Sequence, residues 1–184
     1  MLNNNNEQQT GDCQFEWHCC QASPEPLGQK QIDQDLRYMD LCLDMISGPY
    51  DQSSDVPVAA LIWHPEQGIL AKTSNTTLRD HDASAHAEIN AMRKASQVIK
   101  NHRLVGCTLY VTLEPCLMCF GAIMEARIKR IVYAAADTKV GMLSRRRYLG
   151  LHNYGNHHFR WTEGVLAEKA STGLRTFFQS VCRS

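Results

Sequence analysis

At 184 residues the chain has room for one domain of ordinary size with a real core, and is too short for two. Its 19 Lys and Arg balance 19 Asp and Glu, so no global basic field advertises a nucleic-acid partner and any RNA contact has to be local. No basic start is followed by an apolar run, and no stretch approaches bilayer-spanning length; this points away from a leader or a membrane helix and leaves the cytoplasm as the expected location.

The opening of the chain is a different material from the rest. Asn3 to Gln9 is rich in Asn and Gln, Pro24 to Lys30 is rich in Pro, Gly and Gln, and neither stretch can bury enough apolar surface to fold alone. The expected organisation is a disordered polar tail over 1–30 and one folded domain over 31–184. From Ile32 the pattern turns helical: Ile32, Leu36, Met39, Leu43 and Ile46 recur at steps of four and three, and Gly48-Pro49 stops the run. Val56 to Trp63 reads as a buried strand, His64 to Gly68 as a turn, and Ile69 to Thr73 as the returning strand of a hairpin. A polar loop follows from Asn75 to Ser84. A helix then runs from Ala85 to Val98, with Asp82 or Ser84 available to cap it.

Cys107 to Leu113 is a strand rich in β-branched and aromatic residues, and Pro115 suits the first turn of a new helix running through Cys119 to about Ala126. Ile128 to Ala136 is a further buried strand. Strand, helix, strand in that order requires a crossover, which joins parallel strands with right-handed geometry and makes the core an α/β sandwich. Leu143 to His158, with Arg145-Arg146-Arg147-Tyr148, reads as a long loop or short-helix region, and Val165 to Val181 closes the chain as a helix.

Eight cysteines without a secretory signal favour free thiols and metal ligands over disulfides. Cys42, Cys107 and Cys182 stand singly among apolar neighbours and read as core. Cys13 with His18-Cys19-Cys20 lacks the spacing of a zinc knuckle. Two other segments stand out: His86-Ala87-Glu88 and Pro115-Cys116-Leu117-Met118-Cys119, each at the start of a predicted helix. Cys116 and Cys119 are spaced to share one helical face, and the positive end of that helix favours the thiolate, which is the ligand form. Added to His86 they make three ligands that zinc accepts with one position left over, the pattern of a catalytic ion. Glu88 is then placed to carry protons beside that position without binding the metal. Alone, Cys-x-x-Cys could be a redox pair and His-x-Glu a chance occurrence. In this order they point to catalytic zinc, since a redox or structural site explains neither Glu88 nor the missing fourth ligand.

With these motifs the chain resembles the cytidine deaminase superfamily, and within it the bacterial tRNA adenosine deaminases. The similarity spans Val56 to Phe178: Val56-Pro57-Val58, His86-Ala87-Glu88-Ile89, Leu109 to Cys116, Asp137 to Gly141, Asn156-His157-His158 and Thr162-Glu163-Gly164. The resemblance implies a three-layer α/β/α sandwich with a mixed central sheet. It implies one zinc per subunit on His86, Cys116 and Cys119, proton transfer by Glu88, and a homodimer that converts adenosine to inosine at the wobble position in a tRNA anticodon loop. Asn75 and Ala87 would meet the flipped base, and Asp137 and Phe178 the flanking nucleotides. His81-Asp82-Ala83-Ser84, Phe120 and Ala136 depart from the family's usual residues at positions expected on the pocket rim or the RNA path. Arg145, Arg146 and Arg147 are candidate phosphate contacts.

Two other functions fit parts of the pattern. A guanine deaminase of the same fold can carry Cys-Phe-Gly-Ala after its cysteines, as Cys119-Phe120-Gly121-Ala122 does; Leu113-Glu114-Pro115 and the Asp137 to Gly141 stretch argue against it. A non-catalytic RNA-binding subunit would be expected to lack the proton carrier, and Glu88 is present.

Overall fold

Apolar side chains alternate between the two faces of the central strands, so a helical layer has to cover each face. The computed structural model describes residues 27–51, 53–144 and 156–181. Expectations for Cys13, His18, Cys19 and Cys20, for Arg145, Arg146 and Arg147, and for Cys182 lie outside these residues.

The elements run α1 (Gln29–Asp44), β1 (Ala59–His64), β2 (Gly68–Ser74), α2 (Ala87–Ile99), β3 (Thr108–Leu113), α3 (Leu117–Glu125), β4 (Arg130–Ala135), β5 (Arg160–Thr162) and α4 (Ala167–Val181). The sheet order is β2-β1-β3-β4-β5. β1 pairs antiparallel with both β2 and β3, whereas β3–β4 and β4–β5 are parallel. This is the expected three-layer sandwich with a mixed sheet, and α3 supplies the crossover between β3 and β4. On one face Ala60, Ile62, Leu109, Val111, Ile131 and Tyr133 pack with α2 and α3; on the other Ala59, Leu61, Tyr110, Val132 and Ala134 pack with α1 and α4. Cys42 and Cys107 are buried in these two cores as free thiols. No helix among the described residues is long and apolar enough to cross a membrane.

Two details of the sheet and its packing differ from the sequence reading. In α1 the inward stripe is Asp35, Met39, Cys42 and Leu43, while Ile32 and Leu36 face outward. The rotation has a polar cause: Arg130 Nη1 and Nη2 donate to the two Asp35 oxygens at 2.8 and 2.6 Å, and the Tyr110 hydroxyl donates to the same carboxylate at 3.1 Å. A carboxylate so partnered is satisfied inside, and it fixes which face of α1 meets the sheet. The second difference is β5, a strand the sequence reading lacks. It has three residues and no buried alternation, and exists through its ladder to the edge of β4.

Candidate active site

The chemistry-bearing residues gather at the carboxyl end of β3, beside the amino ends of α2 and α3. His86 is the N-cap of α2 and Cys116 the N-cap of α3; both have extended backbones (φ −66°, ψ 152° and φ −76°, ψ 177°) and neither side chain makes a capping bond. The expected caps of α2, Asp82 and Ser84, do not serve. Asp82 Oδ1 instead accepts the Ser84 N–H and hydroxyl, each at 2.7 Å, shaping the turn that leads into the helix. The start of α2 is tied to the hairpin: Thr73 Oγ1 donates to the Ala87 carbonyl at 2.8 Å, and Asn90 Nδ2 lies 3.0 Å from Thr76 Oγ1 and within reach of the Ser74 and Ala85 carbonyls.

These anchors bring His86 Nδ1 to 3.6 Å from Cys116 Sγ and 3.5 Å from Cys119 Sγ. Among the described residues this trio is the one group of three or more His, Cys, Asp or Glu able to hold an ion, its ligand atoms all within 4.8 Å of one another. The spacing tests the fit to zinc. Two corners of a tetrahedron, one at the ~2.3 Å of a zinc–sulfur bond and one at the ~2.0–2.1 Å of a zinc–nitrogen bond, lie roughly 3.6 Å apart. The donor set and its distances therefore suit a tetrahedral ion with three protein ligands.

The two sulfurs share a proton unequally. Cys116 is pulled down to about 5, first by the hydrogen bond from the Cys119 thiol and further by the Cys119 and Met118 N–H groups and His86, against an upward push from burial. Cys119 is pushed up, because it donates that bond and is buried beside Glu88. A cation bound between them would take the place of that shared proton. Glu88 is 4% exposed, and burial holds its carboxyl above the usual carboxylate range, opposed by its own backbone N–H and by Cys119.

His86, Ala87, Glu88 and Cys116 line a cavity of about 220 Å³ together with Asn75, Asp137, Leu113, Glu114, Val56, Val58, Thr77 and Val140. Four sequence-predicted site residues outside the ligand set, namely Asn75, Ala87, Glu88 and Asp137, thus meet in one space with two of the ligands. Phe178 does not line it: the ring is half exposed and packs edge-on against Phe177, 5.2 Å between centroids. Phe120, expected at the pocket rim, is buried in the core against Phe159 because its position on α3 faces the sheet. The cavity adjoins a larger groove of about 880 Å³ that shares Val56, Asn75 and Thr77 with it and is lined further by Tyr50, Leu78, Arg79 and His81. Sequence reasoning gave no role to Asn90 or Glu114. Each is a polar residue standing among apolar ones in a predicted helix or strand end, and that misplaced polarity is the signal available beforehand.

Comparison with known proteins agrees with this geometry. A family model of the cytidine and deoxycytidylate deaminase zinc-binding region matches residues 32–135. The tRNA-specific adenosine deaminase of Haemophilus influenzae is 44% identical over 125 residues, which cover 68% of this chain and 72% of that protein. A structure from work on A-to-I editing by tRNA:A34 deaminases at the wobble position of transfer RNA is similar at a TM-score of 0.62 and 28% identity, over 79% of this chain and 99% of that one. A guanine deaminase from Nitrosomonas europaea, 22% identical with a TM-score of 0.53 over 86% of each chain, shares the fold.

Proposed function

Because the chain belongs to the cytidine and deoxycytidylate deaminase family, we propose that it hydrolyses adenosine to inosine at the wobble position of a tRNA, with the tRNA-specific relatives as precedent. One observation carries the choice of substrate. The cavity of about 220 Å³ is smaller than the ~300–1,000 Å³ of pockets for drug-sized ligands and suits a single base, and it adjoins a groove large enough for the chain attached to that base. A free base would leave the groove unused. Tyr50, Arg79 and His81 in the groove offer a ring to stack on and donors for phosphate.

His86, Cys116 and Cys119 hold the zinc in this reading. When bound, the ion supplies the Lewis acidity that makes water nucleophilic near neutral pH. The remaining work belongs to side chains. Glu88 accepts a proton from water as the new C6–O bond forms and delivers it to N1 of the base; it then carries the second proton to the departing amine. Adenosine and water give inosine and ammonia. Its burial keeps bulk solvent from competing for those protons. Asn75, its amide braced at 3.4 Å by Thr77, orients the base, Ala87 lines its pocket, and Asp137, at the cavity wall, and Phe178 meet flanking nucleotides. Loop adenosines suit such a site because they leave the stack at little cost.

The deaminase domain spans 31–184 in this reading, and the protein works as a cytoplasmic homodimer. α3 supports the dimer: its inner face is buried, yet its outer face is also apolar, with Leu117 59% and Met118 39% exposed. The test is recombinant, zinc-loaded protein given an anticodon stem-loop with adenosine at the wobble position, free adenosine and guanine in parallel. Inosine in the stem-loop supports the proposal; release of ammonia from guanine alone overturns it.

A further inference from the structure

Glu114 is a buried carboxylate standing directly between β3 and the Pro115-Cys116 segment, and proton transfer gives it no task. Its N–H extends the strand ladder to the Ala135 carbonyl at 2.9 Å, and its side chain is 3% exposed. Such groups persist inside only with partners. Oε2 accepts the Asp137 N–H at 3.0 Å and Oε1 accepts the Ser144 N–H at 2.7 Å, so one carboxylate grips both ends of segment 137–144. Inside the segment, the Gly141 N–H donates to the Asp137 carbonyl at 3.1 Å and the Met142 N–H to the Pro115 carbonyl at 3.0 Å. Asp137 Oδ1 takes the Lys139 and Val140 N–H groups at 2.8 and 3.0 Å. The carboxylate lies against the bare Cα of Gly141: a Cβ there would meet Glu114 Oε2 at 2.3 Å and the Asp137 carbonyl at 2.5 Å.

The segment so closed carries Asp137 and Val140, two residues of the cavity wall. We infer that Glu114 is a positioning residue for the substrate: by clasping both ends of 137–144 over Gly141 it sets the cavity wall at Asp137 and Val140, and so governs substrate binding and not its chemistry. The same residue joins that wall to the strand that leads into Cys116, so wall and ligand segment keep one geometry. The inference rests on the deaminase reading only for the choice of substrate.

E114Q tests it. Glutamine has the right size but turns an NH₂ toward one of the two backbone donors, which replaces that bond with a donor–donor contact and leaves the other bond to a neutral amide oxygen. In zinc-loaded protein KM for the anticodon stem-loop should rise roughly tenfold while kcat stays within about threefold and zinc content is unchanged. The Asp137 or Ser144 amide should exchange with solvent faster. G141A, whose Cβ would collide with both the carboxylate and the Asp137 carbonyl, should raise KM at least as much, and adding E114Q to it should raise KM no further, since the clasp is already undone. An unchanged KM with faster exchange, a loss of kcat or zinc without a change in KM, or additive KM effects would each overturn the inference. If E114Q does not accumulate folded, G141A takes the same measurements. Should the wild type fail to deaminate the stem-loop, the functional reading falls, and amide exchange still decides the clasp: protection unchanged in both variants removes it.

Discussion

Replacing Glu88 by glutamine isolates proton transfer from every other property of the site. The substitution preserves volume and polarity at a position that is 4% exposed, so packing is retained and Tm should move by no more than a degree or two. No ligand atom is removed, because the ion-holding trio is His86, Cys116 and Cys119. Chemistry is a different matter. Positioned acid–base groups contribute about 10²–10⁴-fold per role, and Glu88 serves both the base and the departing amine, while its burial denies the site a substitute from solvent. We expect kcat to fall by roughly 10³-fold or more, about 4 kcal/mol at 1.36 kcal/mol per decade. Ammonia release and inosine formation would be followed together, with zinc per chain by elemental analysis and Tm by calorimetry. Turnover within about tenfold of wild type, or loss of zinc, would refute the role given to this carboxyl.

Other substitutions separate the remaining parts. Cys116→Ala removes one of three ligands and should leave the purified protein nearly free of zinc; full occupancy by elemental analysis would show the ligand set to be wrong. Arg130→Met strips the partner from Asp35, a buried carboxylate, and should lower unfolding free energy in urea by about 3–5 kcal/mol, whereas a change below about 1 kcal/mol would mean the pair contributes little to the fold. Met118→Glu places a charge on the open face of α3 and should shift the protein toward monomer in sedimentation with zinc retained; an unaltered sedimentation coefficient would move the dimer contact elsewhere.

Much of this molecule is legible in the sequence because its signals are local. Continuous β-branched, aromatic and apolar composition in Cys107 to Leu113 and Ile128 to Ala136 marks strands buried on both faces, and the spacing of Cys116 and Cys119 marks ligands on one helical turn. His86 was readable as a ligand only by joining two motifs thirty residues apart, which the fold then brings to 3.5–3.6 Å. The unreadable parts depend on partners that no window contains. Asp35 turns inward for Arg130, 95 residues away; β5 exists through its pairing with β4; and Glu114 acts on Ser144 across 30 residues. Phe178, matched by resemblance to a flanking-nucleotide contact, packs on Phe177 outside the cavity with half its surface exposed, surroundings that no window of sequence contains.

The small volume of the cavity bears on inhibition. A compound confined to about 220 Å³ has few atoms with which to bind, and at the best efficiencies of ~1.5 kcal/mol per heavy atom for very small ligands, falling with size, it forgoes all the affinity that the adjoining groove offers. An oligonucleotide whose modified base imitates the hydrated purine fills both spaces, and should bind more tightly than that base alone by whatever the nucleotides in the groove add.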